Sequence, residues 1–129
     1  MSTYQATLPA QTAAGADATT VLGQVASTDD IFQLEASVVA PAGYSTVTGQ
    51  ATNNATFNVR LVRAGSVVAT FASLTLSSGT NLAAETTVQV PLTALIQPVL
   101  GDVIDVVQHQ NGTGLALGAG LVFKVLINT

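Results

Sequence analysis

Cysteine and tryptophan are absent from this chain, and histidine occurs once, at His109. The first absence excludes disulfides and thiolate metal sites but says nothing of compartment, because many exported proteins also lack cysteine. A lone histidine excludes a metal centre built on several imidazoles. Charge is as scarce: charged residues make up 8% of the chain, against a usual ~25%. The only cations are Arg60, Arg63 and Lys124 in a chain of formal net charge −4. No basic stripe exists for a phosphate backbone, so nucleic acid is not an expected partner. Long apolar runs are missing too. The longest, Leu115 to Ile127, is broken by Lys124 and by glycines and falls short of the ~20 residues of a membrane helix. The opening MSTYQATLPAQ has neither a basic n-region nor an apolar h-region. The expectation is a soluble protein with no membrane partner and no export by the general pathway.

What is present is a chain of 129 residues, 48% hydrophobic. That length suits one domain burying roughly 68% of its unfolded surface. The polar remainder is mostly Thr, Ser, Gln and Asn, which predicts a neutral, hydroxyl-rich surface. Such a surface has little charge to keep copies apart, and association becomes the expected behaviour.

The clearest local signal runs from Ala55 to Leu76. Phe57, Val59 and Leu61 alternate with Thr56, Asn58 and Arg60; after Ala64-Gly65-Ser66 the alternation resumes at Val67, Ala69 and Phe71. Period-2 patterning either side of a glycine-containing break predicts a β-hairpin. The apolar phase then slips to Leu74 and Leu76, which predicts a bulge near Ala72-Ser73.

Further strands are expected at Val21 to Val25, Ile31 to Ala40, Thr86 to Leu92, Val103 to Val107 and Ala119 to Asn128. In Ile31 to Ala40 the reading places Phe32, Leu34, Ala36 and Val38 inside. In the last strand Leu121, Phe123, Val125 and Ile127 share one face while Val122 and Leu126 lie on the other, so it belongs mid-sheet or at a subunit contact. Tyr44 to Thr52 reads as a Thr-rich strand or ordered loop, and Leu92 to Leu100 has room for one helical turn before Pro98. Seven or eight short strands with turns between them and no long amphipathic helix predict an all-β, antiparallel β-sandwich of jelly-roll type.

Residues 1–20 stand apart as an expected extended N-terminal arm on a domain of residues 21–129. The arm is rich in Ala, Thr and Gln, with Tyr4, Leu8 and Pro9 as its apolar anchors. Ordering fifteen such residues would cost roughly 15 to 30 kcal/mol, more than a few small side chains recover at ~25 cal/mol per Å². The expectation is an arm that stays loose until a partner orders it.

Candidate chemistry is thin. Asp29-Asp30 reads as a turn, since a calcium loop needs oxygen ligands at several alternating positions. His109 with Asp102 or Asp105 and one of many serines could be imagined as a triad, but no Gly-x-Ser-x-Gly elbow exists. Glu35, Glu85, Asp102 and Asp105 sit on expected solvent faces or strand starts, not as a glycosidase pair. Gly112-Thr113-Gly114 and Gly118-Ala119-Gly120 precede a strand, whereas a dinucleotide fingerprint opens a helix. Asn54-Ala55-Thr56 and Asn111-Gly112-Thr113 match the glycosylation sequon. Arg60 is expected to pair with a neighbouring carboxylate. No catalytic, metal or cofactor site emerges, and the expectation is a protein that is not an enzyme.

The Ala/Thr/Gln arm from Gln5 to Thr20, the sparsely charged Thr/Val/Ala-rich β body and the absence of cysteine give a layout similar to the head decoration, or cement, proteins of tailed bacteriophages. Leu100 to Val106, LGDVIDV, also resembles the turn-plus-strand found late in many jelly-roll modules. The resemblance implies a virion protein on the capsid surface, a homotrimer bound to the major capsid protein. In it the arm would clamp neighbouring subunits through Tyr4, Leu8 and Pro9, many modest contacts being multiplied by lattice valency. The alternative is a carbohydrate- or receptor-binding jelly-roll module of a phage tail fibre or cell-surface protein, for which stacking aromatics are few: Tyr4 and Tyr44 are the only tyrosines. A tail-tube or connector subunit is a third expectation.

Overall fold

A computed structural model describes residues 1–129. It contains eight strands and no helix: β1 (Ser2–Thr7), β2 (Ala18–Gln24), β3 (Phe32–Val39), β4 (Asn54–Arg63), β5 (Ser66–Thr75), β6 (Thr87–Gln89), β7 (Val103–Asn111) and β8 (Val122–Asn128). They form two four-stranded sheets, in the orders β1-β8-β3-β6 and β2-β7-β4-β5.

The pairing has a simple rule. First pairs with last, second with second-to-last, and so inward to β4 with β5, always antiparallel. The chain is therefore one long hairpin with its tip at Ala64-Gly65, rolled so that successive pairs fall alternately into the two sheets. The β3–β8 and β4–β7 pairings then close each sheet. That winding is a jelly roll, and the all-β sandwich expected from the sequence is the observed fold. At the tip, Ala64 and Gly65 adopt φ of 50° and 80°, the doubly left-handed turn whose twist matches the strands it joins.

The core follows the alternation. Phe57, Val59 and Leu61 of β4 face Phe123, Val125 and Ile127 of β8, all fully buried. Phe57 and Phe123 meet across the sandwich with ring centroids 5.9 Å apart. β8 does lie inside its sheet, between β1 and β3.

Several expectations change. Residues 1–20 are not a loose arm: β1 is the edge strand beside β8, and Ala18–Thr20 already belong to β2, paired with β7. Between them Leu8 exchanges backbone hydrogen bonds with Leu121 (2.7 Å) and Gly120 (3.1 Å), and Gln11 with Leu117. Apolar burial is only part of what orders these residues. Without them β8 would show a bare edge whose N–H and C=O groups need partners and whose two faces are largely apolar. Tyr4, Ala6 and Leu8 are in fact spaced by two, a strand signal diluted by the Thr and Gln between them.

Two bulges occur in β5, one at Val68 and one at Phe71, where register shifts against β4. The second leaves Phe71 and Ala72 both fully buried and absorbs the phase slip slightly ahead of Ala72-Ser73. The first turns Val67 and Val68 out to solvent, so Val67 is not the inward residue the alternation predicts. A bulge at Leu34 in β3 likewise puts Gln33 inside and Leu34 outside. Tyr44 to Thr52 is an ordered loop held by the Val47–Leu82 bridge. Leu92 to Leu100 forms no helical turn; Leu92 and Thr93 bridge the β5 edge, with the Thr93 N–H donating to the Phe71 carbonyl at 2.9 Å, and the chain then leaves that edge, the Ile96 N–H donating to the Gln33 side chain of β3.

Candidate functional site

Every charge that could begin a catalytic argument already has a partner or stands alone. Arg60 on β4 lies directly opposite Asp105 on β7, and its guanidinium grips that carboxylate through two bonds, at 2.9 and 2.8 Å. Asp105 lies on the outer face, as its place in the alternation suggests, but is buried there beside the Arg60 guanidinium. Arg63 grips Asp102 in the same two-pronged way, both bonds 2.9 Å, and the Val99 N–H adds a third at 2.9 Å. These bonds hold the Asp102 carboxyl below the usual carboxylate range against the opposing effect of burial. Asp102 and Asp105 are unavailable to His109. The histidine instead contacts Asp17 through Nδ1 at 2.7 Å, with both side chains about half exposed.

Glu35 lies on the outer face of the β8 sheet and Asp105 on that of the β7 sheet, while Glu85 sits in a turn at the far end of the sandwich from Asp102. The four carboxylates are therefore dispersed. No group of three His, Cys, Asp or Glu side chains could hold a metal ion, and no helix is long and apolar enough to cross a membrane. The sequon asparagines bond to one another: Asn111 Nδ2 donates to Asn54 Oδ1 at 2.9 Å, and Asn54 Nδ2 donates to the Gln50 carbonyl. Asn54 is buried.

Tyr4 and Leu8, expected as partner anchors, are buried among the chain's own core residues. Tyr4 packs where Gly23 leaves room; a Cβ on Gly23 would come within 2.7 Å of the ring. Its hydroxyl donates to Asp30 Oδ2 at 2.5 Å and Ser2 Oγ donates to Asp30 Oδ1 at 2.6 Å. Burial and the adjacent carboxylate push the Tyr4 hydroxyl pKa well above its ordinary value. Pro9 is the exposed member of the three, its carbonyl accepting from Gln108 Nε2. Asp30, read from the sequence as half of a turn, is the buried post that ties the N-terminal strand to the β2–β3 connection; no sequence pattern signals a contact made across 26 residues.

Two open depressions lie at opposite ends. At one end Tyr44, its hydroxyl donating to the Gly118 carbonyl at 3.2 Å, stands beside a depression of about 530 Å³ lined by small residues of the Pro41–Val47 and Ala116–Ala119 loops. At the other, a depression of about 460 Å³ runs between Val68 and Ala69 of β5 and Leu95, Ile96 and Gln97, with Arg63 at its side.

The two ends differ in their surfaces. Every large apolar side chain exposed in the molecule, among them Leu95 (75%), Leu100 (62%) and Val67 (50%), belongs to the half holding the β4–β5 tip, the β2–β3 connection and the Pro91–Asp102 segment. The loops at the opposite end, 8–17, 40–53, 76–86 and 112–121, contribute none. Single exposed apolar residues are ordinary, but their collection at one end sets that end apart from the other. Sequence periodicity missed it because the bulge at Val68 and the extended course of residues 91–100 create it.

No family model matches this chain, and neither a curated protein nor a solved structure is significantly similar to it.

Proposed function

We propose that this protein is a structural subunit of a virus particle that decorates the outside of a tailed-phage head, binding the major capsid protein and reinforcing the shell. The observation that carries the reading is the contrast between a rigid jelly roll whose two arginines are each paired with a carboxylate of the same chain and a surface specialised only by its apolar end. A lattice subunit has to touch its own kind and the shell beneath. It requires complementary surfaces at those contacts, not reactive groups, and the valency of a lattice turns weak contacts into stable coverage. The jelly roll is a frequent architecture of viral coat domains, which adds analogy to the argument.

The grip does not come from a free N-terminal arm with Tyr4 and Leu8 as anchors, since both are built into the body. Attachment falls to exposed loops and strand edges. The test mixes the purified chain with expanded, undecorated head shells of the phage carrying its gene, followed by sedimentation and imaging of the shells. Saturable, regularly spaced binding and raised resistance of the shells to heat are expected; shells that sediment bare overturn the reading.

Tyr44 favours one second reading. It is a partly exposed aromatic beside the 530 Å³ depression, and jelly rolls also serve as lectins. A carbohydrate-binding module of a tail fibre or cell-surface protein would show a glycan-array signal that Tyr44→Ala abolishes.

A further inference from the structure

We infer that the apolar end is the surface through which copies of this chain bind one another, with the free edge of β5 and the Leu95 rim at the centre of the contact. The inference goes beyond decoration and stands or falls separately from it.

One edge of the β4–β5 hairpin is only partly covered. Pro91 to Thr93 covers β5 at Phe71 and Ser73, through Thr93 N–H to the Phe71 carbonyl and Ser73 N–H to the Pro91 carbonyl, and the Thr93 hydroxyl reaches the Thr70 carbonyl. The cover stops there. Ser66 to Ala69 is left as an uncovered edge carrying Val67 and Val68, 50% and 48% exposed, with no lysine or proline to guard it. Natural sheets blunt such edges with charge, proline, a bulge or a covering segment; of these only the bulge at Val68 is present, and it turns two valines out to solvent, leaving an apolar edge that invites another surface.

Arg63 flanks the depression between Val68 and Leu95, grips Asp102, and Asp102 accepts from the Val99 N–H. Leu100 follows. The apolar residues thus surround a single ion pair rather than lying scattered.

A contact between copies around a rotation axis sets a surface against its own image, so any net charge at the centre repels itself. Here the two central charges cancel within each copy, Arg63 against Asp102. A surface adapted to a charged partner would instead leave one sign unpaired.

Leu92, Leu95, Val99, Leu100, Val67 and Val68 are each between 45% and 75% exposed. Together they bare on the order of 500 Å² of apolar surface, near the upper limit for a domain that lives alone. With a polar rim this approaches the roughly 800 Å² per partner of a standard stable interface.

The test is the mass of the intact chain in solution, by sedimentation equilibrium over a wide concentration range, for wild type, for Val68→Lys with Leu95→Lys, and for a control with Thr46→Lys and Ala116→Lys at the opposite end. Wild type and control are expected to be oligomeric. The apolar-end double variant is expected to be folded by circular dichroism and monomeric, its dissociation constant raised about a hundredfold or more by two unpaired charges at the contact. Amide exchange supplies a reading free of substitutions: protection across 66–69 and 95–100 should rise with protein concentration. A wild-type monomer at all concentrations overturns the inference, as does a folded double variant that stays oligomeric. Protection of the patch appearing only when head shells are added also overturns it, by assigning the surface to the shell. A monomer that coats shells sinks this inference and leaves decoration standing; an oligomer that ignores shells does the reverse.

Discussion

Two carboxylates define what single residues do here. Asp102, whose pKa is lowered chiefly by its hydrogen bonds from Arg63, contributes stability that is full above the unfolded carboxylate pKa of about 4. That contribution is lost as pH falls through the lower folded value. Asp102→Asn should therefore be less stable than wild type near neutrality, with the difference shrinking in acid; urea midpoints measured from pH 7 downward check it. Asp30 holds the N-terminal strand through Tyr4 and Ser2. Tyr4→Phe keeps the ring and loses the bond, and should lower unfolding free energy by about 1.5 to 3 kcal/mol, the range for a hydrogen bond to a charged group. Asp105 is buried beside a partly exposed arginine, so Arg60→Met, which strands the carboxylate, should cost on the order of 2 kcal/mol in the same assay. Of these contacts, only the Arg60 pairing was legible in the sequence, because one of three cations facing few carboxylates has few choices. The Tyr4–Asp30 contact depends on where two connections meet in space.

Among elements, the tip of the rolled hairpin offers the simplest test. Ala64 has φ of 50°, a left-handed conformation that asparagine tolerates far better than alanine. Ala64→Asn should raise stability by about 0.5 to 1 kcal/mol, read as a higher thermal midpoint. At the other extreme of the chain, β1 should exchange its bonded amides slowly, with the rest of its sheet. Removing residues 1–8 should abolish cooperative unfolding, because it bares the edge of β8 and empties the sites of Tyr4 and Leu8. Exchange as fast as in a free peptide would refute the placement of β1. The strands most readable from sequence, β4 and β8, are those with one face wholly inside the core. β1 was poorly readable because an edge strand need satisfy only one partner and carries Thr and Gln at little cost, whereas β6, also an edge, lies within the expected strand from Thr86 to Leu92. The bulge at Phe71 showed itself, slightly displaced, as a slip in the apolar phase, whereas those at Val68 and Leu34 escaped because an inserted residue leaves composition unchanged and alters only which neighbour it opposes.

For the whole molecule, the sandwich followed from alternation and turn spacing, whereas the apolar end did not. Leu92, Leu95, Val99 and Leu100 look in sequence like ordinary core residues, and only the extended path of Pro91 to Asp102 across the end of the barrel-like roll leaves them outside. The winding itself bears on synthesis. β8 is made last and is the central support of its sheet, flanked by the strand made first and by β3. Until β8 has been made, β1 and β3 have nothing to hold between them, so half of the molecule cannot assemble before the last of the eight strands is available. Such distant pairing folds slowly. The β4–β5 hairpin, complete well before β8, therefore shows its β5 edge while the sheet opposite is still waiting for its middle strand.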